Sequence, residues 1–251
     1  MLDYDGTLAP FHRQRDKAVP YLHVAATLEE IVRDGHTRVA IISGREVREV
    51  VSLLGIEPLP EMWGVYGLQR RRADGKVEVA SIDQRYLEAL CDALRWLEYQ
   101  QLAGSAETKS GSLAYHWRGL RPSEVEEVRG RVLLGWSAIA KDTGLSLVEF
   151  DGGLEIRAPG SDKGDVVRML LEEMGPNVCA AYLGDDVTDE PAFEAIRARG
   201  LSILVRPQWR QTAARIWLKP PAGVVDFLAG WLDACQRHTP MSVSRAEAAN
   251  K

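Results

Sequence analysis

Hydrophobic positions along the chain follow two rhythms, and the switches between them mark the elements. Consecutive β-branched and apolar residues read as buried parallel strands. Apolar residues three and four apart read as helices. Residues 1–8 read as a strand end running into a turn at Gly6. Residues 24–34 predict a helix with Leu28, Ile31 and Val32 on one face, closed by Gly35. A strand over 37–42 precedes a helix carrying Val47, Val50, Val51 and Leu54. Residues 63–66 predict a short strand, and 69–72 with 76–79 a hairpin around Asp74-Gly75.

The middle of the chain reads differently. Residues 86–102 and 122–141 predict helices, the second with Pro122 in its first turn. Residues 106–118 alternate like a strand with a turn at Ser110-Gly111, and 146–150 and 154–157 flank Asp151-Gly152-Gly153 as a hairpin. After Pro159 the first rhythm returns: helices over 164–174, 190–199 and 224–236, strands over 178–183 and 201–205. The outer thirds thus predict an α/β fold, a Rossmann-like parallel-sheet core with helices on both faces. We expect that core over 1–81 and 159–236, an inserted α+β module over 82–158, and a disordered tail over 237–251. Only two residues precede Asp3, where a parallel strand usually has about five or six in all. Either the first strand is clipped or the natural start lies upstream.

Charge and cysteines narrow the classes. Lys+Arg number 31 and Asp+Glu 36, so the net charge is 31 − 36 = −5, and a general nucleic-acid binder is disfavoured. No apolar run approaches the roughly 18–20 residues that span a bilayer. Cys91, Cys179 and Cys235 form no C-x-x-C pair, so we expect reduced thiols and a cytoplasmic protein.

Four segments carry candidate chemistry. Asp3-Tyr4-Asp5-Gly6-Thr7 places two carboxylates after a strand, where α/β sheets bind ligands. Alone, this pattern also describes a surface turn. Gly184 to Glu190 packs four carboxylates at another strand end. Asp189 and Glu190 suit a helix N-terminus, whereas Asp185 and Asp186 suit a hard cation. Ser43-Gly44-Arg45 offers a hydroxyl and amides at a strand end, a phosphate seat or a plain cap. Lys163-Gly164 puts a cation at a helix start, which the helix dipole disfavours unless an anion is near.

Together, in this order, the four segments resemble the motifs of the haloacid-dehalogenase-like phosphohydrolases. Asp3 to Pro10 and Gly184 to Glu190 resemble those of the trehalose-6-phosphate phosphatase family in particular. Glu107-x-Lys109, His116-Trp117-Arg118 and Leu154-Glu155-Ile156-Arg157 resemble that family's cap segments. Tyr66-Gly67-Leu68-Gln69 departs from the family's usual H-G-A-E, and this bears on substrate identity.

The resemblance implies a Mg²⁺-dependent phosphatase acting on trehalose 6-phosphate through an aspartyl-phosphate. Asp3 is then the nucleophile and Asp5 the acid and base. Asp3, Asp185 and Asp5 (through its carbonyl) hold the metal, with Asp186 and Asp189 behind them. Ser43, Gly44, Thr7 and Lys163 hold the phosphoryl group. Glu107, Lys109, His116, Arg118 and Glu155 read the sugar, and a trehalose-6-phosphate synthase is the implied functional partner. The residues leave open the same chemistry on a sucrose or glucosylglycerol phosphate, or a non-catalytic sugar-phosphate-binding protein on this fold.

Overall fold

The structure is a computed structural model and describes residues 1–12, 14–160 and 162–238. The parallel strands of its larger sheet are built mostly from apolar runs. The strands are β1 (Ala40–Ile42), β2 (Glu61–Gly64), β3 (Gln69–Arg71) and β4 (Val77–Val79), then after the inserted segment β9 (Ala180–Gly184), β10 (Gly200–Val205) and β11 (Ile216–Leu218). β1 and β2 pair in parallel, as do β9, β10 and β11, while β3 and β4 add antiparallel. Leu2 joins the two halves, bridging in parallel to Ile41 on one side and Leu183 on the other. The first strand is therefore reduced to this bridge. The Met1 ammonium donates to the Ala181 carbonyl at 2.8 Å, and burial lowers its pKa to about 5. An apolar cavity of about 320 Å³ lies beneath it, between residues 37–40 and 177–181.

Helices cover both faces because both faces are apolar. The helices are α1 (Leu22–Asp34), α2 (Val47–Leu54), α3 (Gln84–Tyr99), α4 (Pro122–Thr143), α5 (Lys163–Met174), α6 (Glu190–Ile196) and α7 (Ala222–His238). Leu28, Val50, Val224 and Leu228 from α1, α2 and α7 pack on Ile41, Leu183 and Ile203. Val166, Leu170 and Phe193 from α5 and α6 pack on Ile42, Tyr182 and Leu204. The alternation of neighbouring side chains across the sheet divides these sets.

The inserted segment forms its own antiparallel sheet, β5 (Ala106–Lys109), β6 (Ser112–His116), β7 (Ser146–Phe150) and β8 (Gly153–Arg157), in the order β5-β6-β8-β7. α3 and α4 cover one face, with Trp136, Leu97, Leu113 and Ile156 fully buried between them.

Several expectations shift. The strand expected over 63–66 ends at Gly64, and Val65–Gly67 makes a 3-10 turn with Tyr66 at φ 55°. The helix after Ser43 starts only at Val47, where Glu46 and Glu49 cap each other's backbone amides. The helix expected to 199 stops at Ile196. β11 has only three residues, too short a run for any periodicity to register. Of the expected tail, residues 237 and 238 belong to α7, and 239–251 lie outside the described residues. Among the described residues no helix is long and apolar enough to cross a membrane.

Candidate active site

Parallel pairing brings the carboxyl ends of β1, β2, β9 and the Leu2 bridge to one edge of the sheet. Asp3, Ser43, Tyr66 and Asp185 leave from those ends, and the first residue of α5, Lys163, meets them there. Lys163 Nζ donates to Asp3 Oδ1 at 2.6 Å and to Asp189 Oδ1 at 2.7 Å. Asp189 also accepts from the Tyr182 hydroxyl at 2.5 Å, and from the amides of Asp185 and Asp186 at 3.1 and 3.0 Å. Its two oxygens are thus engaged, and its place is to hold Lys163 and the loop after β9.

Three carboxylates here share one ammonium, and the electrostatics follow. Burial works against the Lys163 charge, but Asp189 and Asp3 outweigh it and hold its pKa well above the usual value. Burial pushes Asp3 up to about 7 against the pull of Lys163, with Asp189 and Asp5 adding repulsion. Burial, then Asp3, Asp189 and Asp186, drive Asp185 well above the carboxylate range. Asp3 Oδ2 is buried and has no hydrogen-bond partner among the described residues. A buried anionic oxygen without a partner is costly, and this one faces into a cluster short of positive charge.

Gly6 is needed where it stands. Its φ is +84°, and a Cβ there would fall 2.3 Å from the Asp185 carboxylate. Gly44 likewise leaves room for the Tyr66 ring, which a Cβ would meet at 2.7 Å. Ser43 Oγ accepts from the Arg45 amide at 3.1 Å, so its hydroxyl hydrogen is left for another acceptor. Thr7 is fully buried, does not line the cavity, and its hydroxyl has no partner among the described residues. Asp5 accepts from Arg45 Nε and Nη2 at 2.6 and 2.7 Å. Arg45 is itself buried and donates to the Arg15 carbonyl at 3.0 Å. Its role was invisible in the sequence, although it sits inside a quoted motif.

Over these residues lies a cavity of about 570 Å³, roofed by the second sheet. Lys109, Glu107, His116 and Arg118 line it, as do Arg15, Phe11 and Phe150. Glu155 does not. It is fully buried behind Lys109, accepting from Lys109 Nζ at 3.1 Å and Ser112 Oγ at 2.8 Å. Burial pushes its pKa up, but Lys109, Ser112 and Arg157 outweigh that and hold it below the usual value. His116 Nε2 lies 2.7 Å from Glu107. Burial and the cations Arg15, Lys109 and Arg118 lower its pKa to about 4, so the ring donates as a neutral imidazole. Arg15, from the loop before α1, pairs with both Glu107 and Glu49. No pattern in the sequence singles it out.

Gln69 spans the seam between the two sheets. Its Oε1 accepts from the Val47 amide at 2.9 Å, and its Nε2 donates to Ser110 Oγ at 3.3 Å. Ser110 in turn donates to Glu46 at 3.2 Å. The departure at Gln69 therefore falls on packing between the modules, whereas Tyr66 lines the cavity.

The donor set fits a hard divalent cation. Oxygens of Asp3, Asp185 and Asp189 lie within 4.8 Å of one another, and the unpartnered Asp3 Oδ2 is among the local charges to be offset. Oxygen-only ligands suit Mg²⁺.

A buried lysine among clustered carboxylates, at the strand ends of a parallel sheet and under an inserted roof, is the arrangement expected of the haloacid-dehalogenase-like hydrolase class. The chain superposes on a haloacid dehalogenase-like hydrolase from B. subtilis with TM-score 0.64 and 16% identity, covering 91% of this chain and 98% of the other. It superposes on the C-terminal domain of C. albicans trehalose-6-phosphate phosphatase with TM-score 0.80 and 22% identity, covering 93% and 90%. At these identities the likeness establishes the fold.

The family rests on sequence. A model of the trehalose-phosphatase family matches residues 1–218, and the chain belongs to that family. It is 31% identical over 239 residues to the trehalose-phosphate phosphatase of Mycobacterium marinum, covering 90% of this chain and 59% of that one. The chain thus spans about three-fifths of the length of this curated relative.

Proposed function

We propose that the protein is a Mg²⁺-dependent phosphatase that hydrolyses trehalose 6-phosphate to trehalose and phosphate. The observation that carries this reading is Asp3. One of its oxygens is held by Lys163, and the other is unpartnered at the floor of a sugar-sized cavity. Family membership supplies the substrate, and residues 82–158 serve as the cap that selects it.

In this reading Asp3 attacks phosphorus in line, and the bond to the sugar oxygen breaks as an aspartyl-phosphate forms. Lys163 and Ser43 hold the equatorial oxygens, since positioning and charge stabilisation do most of the work in phosphoryl transfer. Asp5 gives a proton to the departing sugar oxygen and then takes one from the water that hydrolyses the acyl phosphate. Both Asp5 oxygens accept from Arg45, so delivering a proton requires one of these bonds to open. Asp3 and Asp185, with the Asp5 carbonyl, would hold Mg²⁺. When bound, the ion supplies the positive charge that lets an anionic nucleophile approach a dianionic ester. Lys109, with Glu155 fixing it from behind, and Glu107, oriented by His116 and Arg15, present charged groups to sugar hydroxyls. The substrate must come from a reaction that joins two sugars with a phosphate already on one, which is the step of a synthase partner.

The test is phosphate release, with and without Mg²⁺, from trehalose 6-phosphate, sucrose 6-phosphate, glucosylglycerol 3-phosphate, glucose 6-phosphate and an aryl phosphate. We expect metal-dependent release that strongly favours trehalose 6-phosphate. Preference for another sugar phosphate would keep the chemistry and overturn the cap assignment. No release from any substrate by the folded protein would overturn both.

A further inference from the structure

The hairpin turn between β7 and β8 is the tip of the second sheet, and it reaches the loop that carries Asp185. The Asp151 amide donates to Asp186 Oδ2 at 2.8 Å. The Asp151 carboxylate accepts from Arg206 Nη2 at 3.0 Å. Arg206 follows β10 directly, and its Nη1 donates to the Asp185 main-chain carbonyl at 3.3 Å. Arg210 Nε reaches the same carbonyl at 3.4 Å and also pairs with Glu190. On the other side of the tip, Arg118 donates to the Asp151 carbonyl and stacks 3.8 Å above the Phe11 ring. One residue of the second sheet, Asp151, is thus bonded through its amide, its carboxylate and its carbonyl.

We propose that Arg206 is a positioning residue that latches the second sheet closed and ties that closure to the Asp185 loop. The bridge is direct: one guanidinium nitrogen holds the hairpin tip and the other holds the loop. Opening the second sheet strips Asp186 of the Asp151 amide and Arg206 of its carboxylate. It thereby loosens the loop that the proposed metal site depends on. Closure and loop order become one event, and a substrate that completes the roof also firms up the floor. The kinetic half of this inference rests on the phosphatase reading; the structural half does not.

Two native thiols allow the test. Cys91 lies on α3 of the second sheet's module and Cys179 precedes β9 in the larger sheet, and both are exposed. In a Cys235→Ser background, spin labels on these two report the distance between the modules. Arg206→Gln and Asp151→Asn should each add a population at longer distance. Arg206→Gln, which unlike Asp151→Asn also removes one of the two guanidinium donors to the Asp185 carbonyl, should raise the Mg²⁺ concentration for half-maximal phosphate release about threefold to fivefold, the scale of one partly exposed charged contact. Asp151→Asn should move that midpoint less. The double variant should be no more open than the worse single variant. Unchanged distance distributions in both single variants would overturn the latch, and so would fully additive opening in the double variant. Equal Mg²⁺ midpoints in Arg206→Gln and wild type would overturn the tie to the loop. Should no protein release phosphate, the phosphatase reading falls, and the distances still decide the latch.

Discussion

The floor and the roof of the cavity are both dense with charge, and they are charged in different ways. At the floor, Asp3, Asp185 and Asp189 are buried around Lys163, with the Arg206 guanidinium 4.0 Å from Asp185 at the margin. In the roof, Glu107 and Glu155 meet Lys109 and Arg15, with a neutral His116 between. Among the described residues the floor has more carboxylates than cations, and the roof is closer to balance. A buried anionic excess stays in place only when a cation or protons offset it. The floor therefore suits a cation, while the more balanced roof suits hydrogen bonds to a neutral polar ligand. That contrast divides the proposed work into phosphoryl chemistry below and sugar recognition above.

The largest effect that would break the comparison is at the nucleophile. Asp3→Asn should lower turnover at least about a thousandfold on every substrate while circular dichroism stays unchanged. Near-normal turnover would remove Asp3 from its role. Lys163→Met leaves the floor carboxylates without their ammonium. It should cost about 3–5 kcal/mol in denaturant unfolding without metal. Mg²⁺ should recover part of that loss, and no recovery would argue against the cation seat.

A smaller and more selective effect belongs to the roof. Glu155→Gln should lower kcat/KM for trehalose 6-phosphate about tenfold to a hundredfold, because Lys109 loses its anchor. Turnover of an aryl phosphate should stay within about threefold of wild type. Equal losses on both substrates would dissolve the division between floor and roof.

The pH response sharpens the same contrast. His116 has a folded pKa of about 4 against an ordinary 6.5, so the unfolded chain binds the extra proton between those values. Its contribution to stability is complete above about pH 6.5 and is lost as pH falls toward 4. Asp3 runs the other way in metal-free protein. Its folded pKa of about 7 lies above the ordinary 3.8, so its contribution is lost as pH rises through that range. Thermal midpoints across pH 4–7 should show the acid-side loss shrink in His116→Gln. They should show the neutral-side loss shrink on adding Mg²⁺. The smallest effect is at the departure from the family pattern. Tyr66→Phe keeps the ring packed beside Gly44 and should change turnover only a few-fold.

Much of the floor was legible because each of its parts is local. Asp3, Ser43, Lys163 and Asp185 each follow a strand or open a helix. A parallel sheet then has to bring such ends to one edge. The strand before Asp3 read as short, and in the structure it is a bridge at Leu2. The turn at Tyr66 was not legible, because an apolar run of four looks like strand until its left-handed backbone is seen. Arg15, Arg45 and Arg206 were not legible either. An arginine on a loop carries no periodicity, and its partner lies 40 to 92 positions away in Asp5, Glu107 and Asp151.

The sequence by itself determined the alternating core, the inserted sheet and the identities of the groups at the floor, since period and motif are properties of neighbouring residues. Only the tertiary structure decided which charges are paired and which are left over. It put Asp189 on Lys163, Arg45 on Asp5 and Glu155 behind Lys109, and it left one oxygen of Asp3 without a hydrogen-bond partner among the described residues. Pairing depends on distance and burial, and both are set by contacts between segments far apart in the chain.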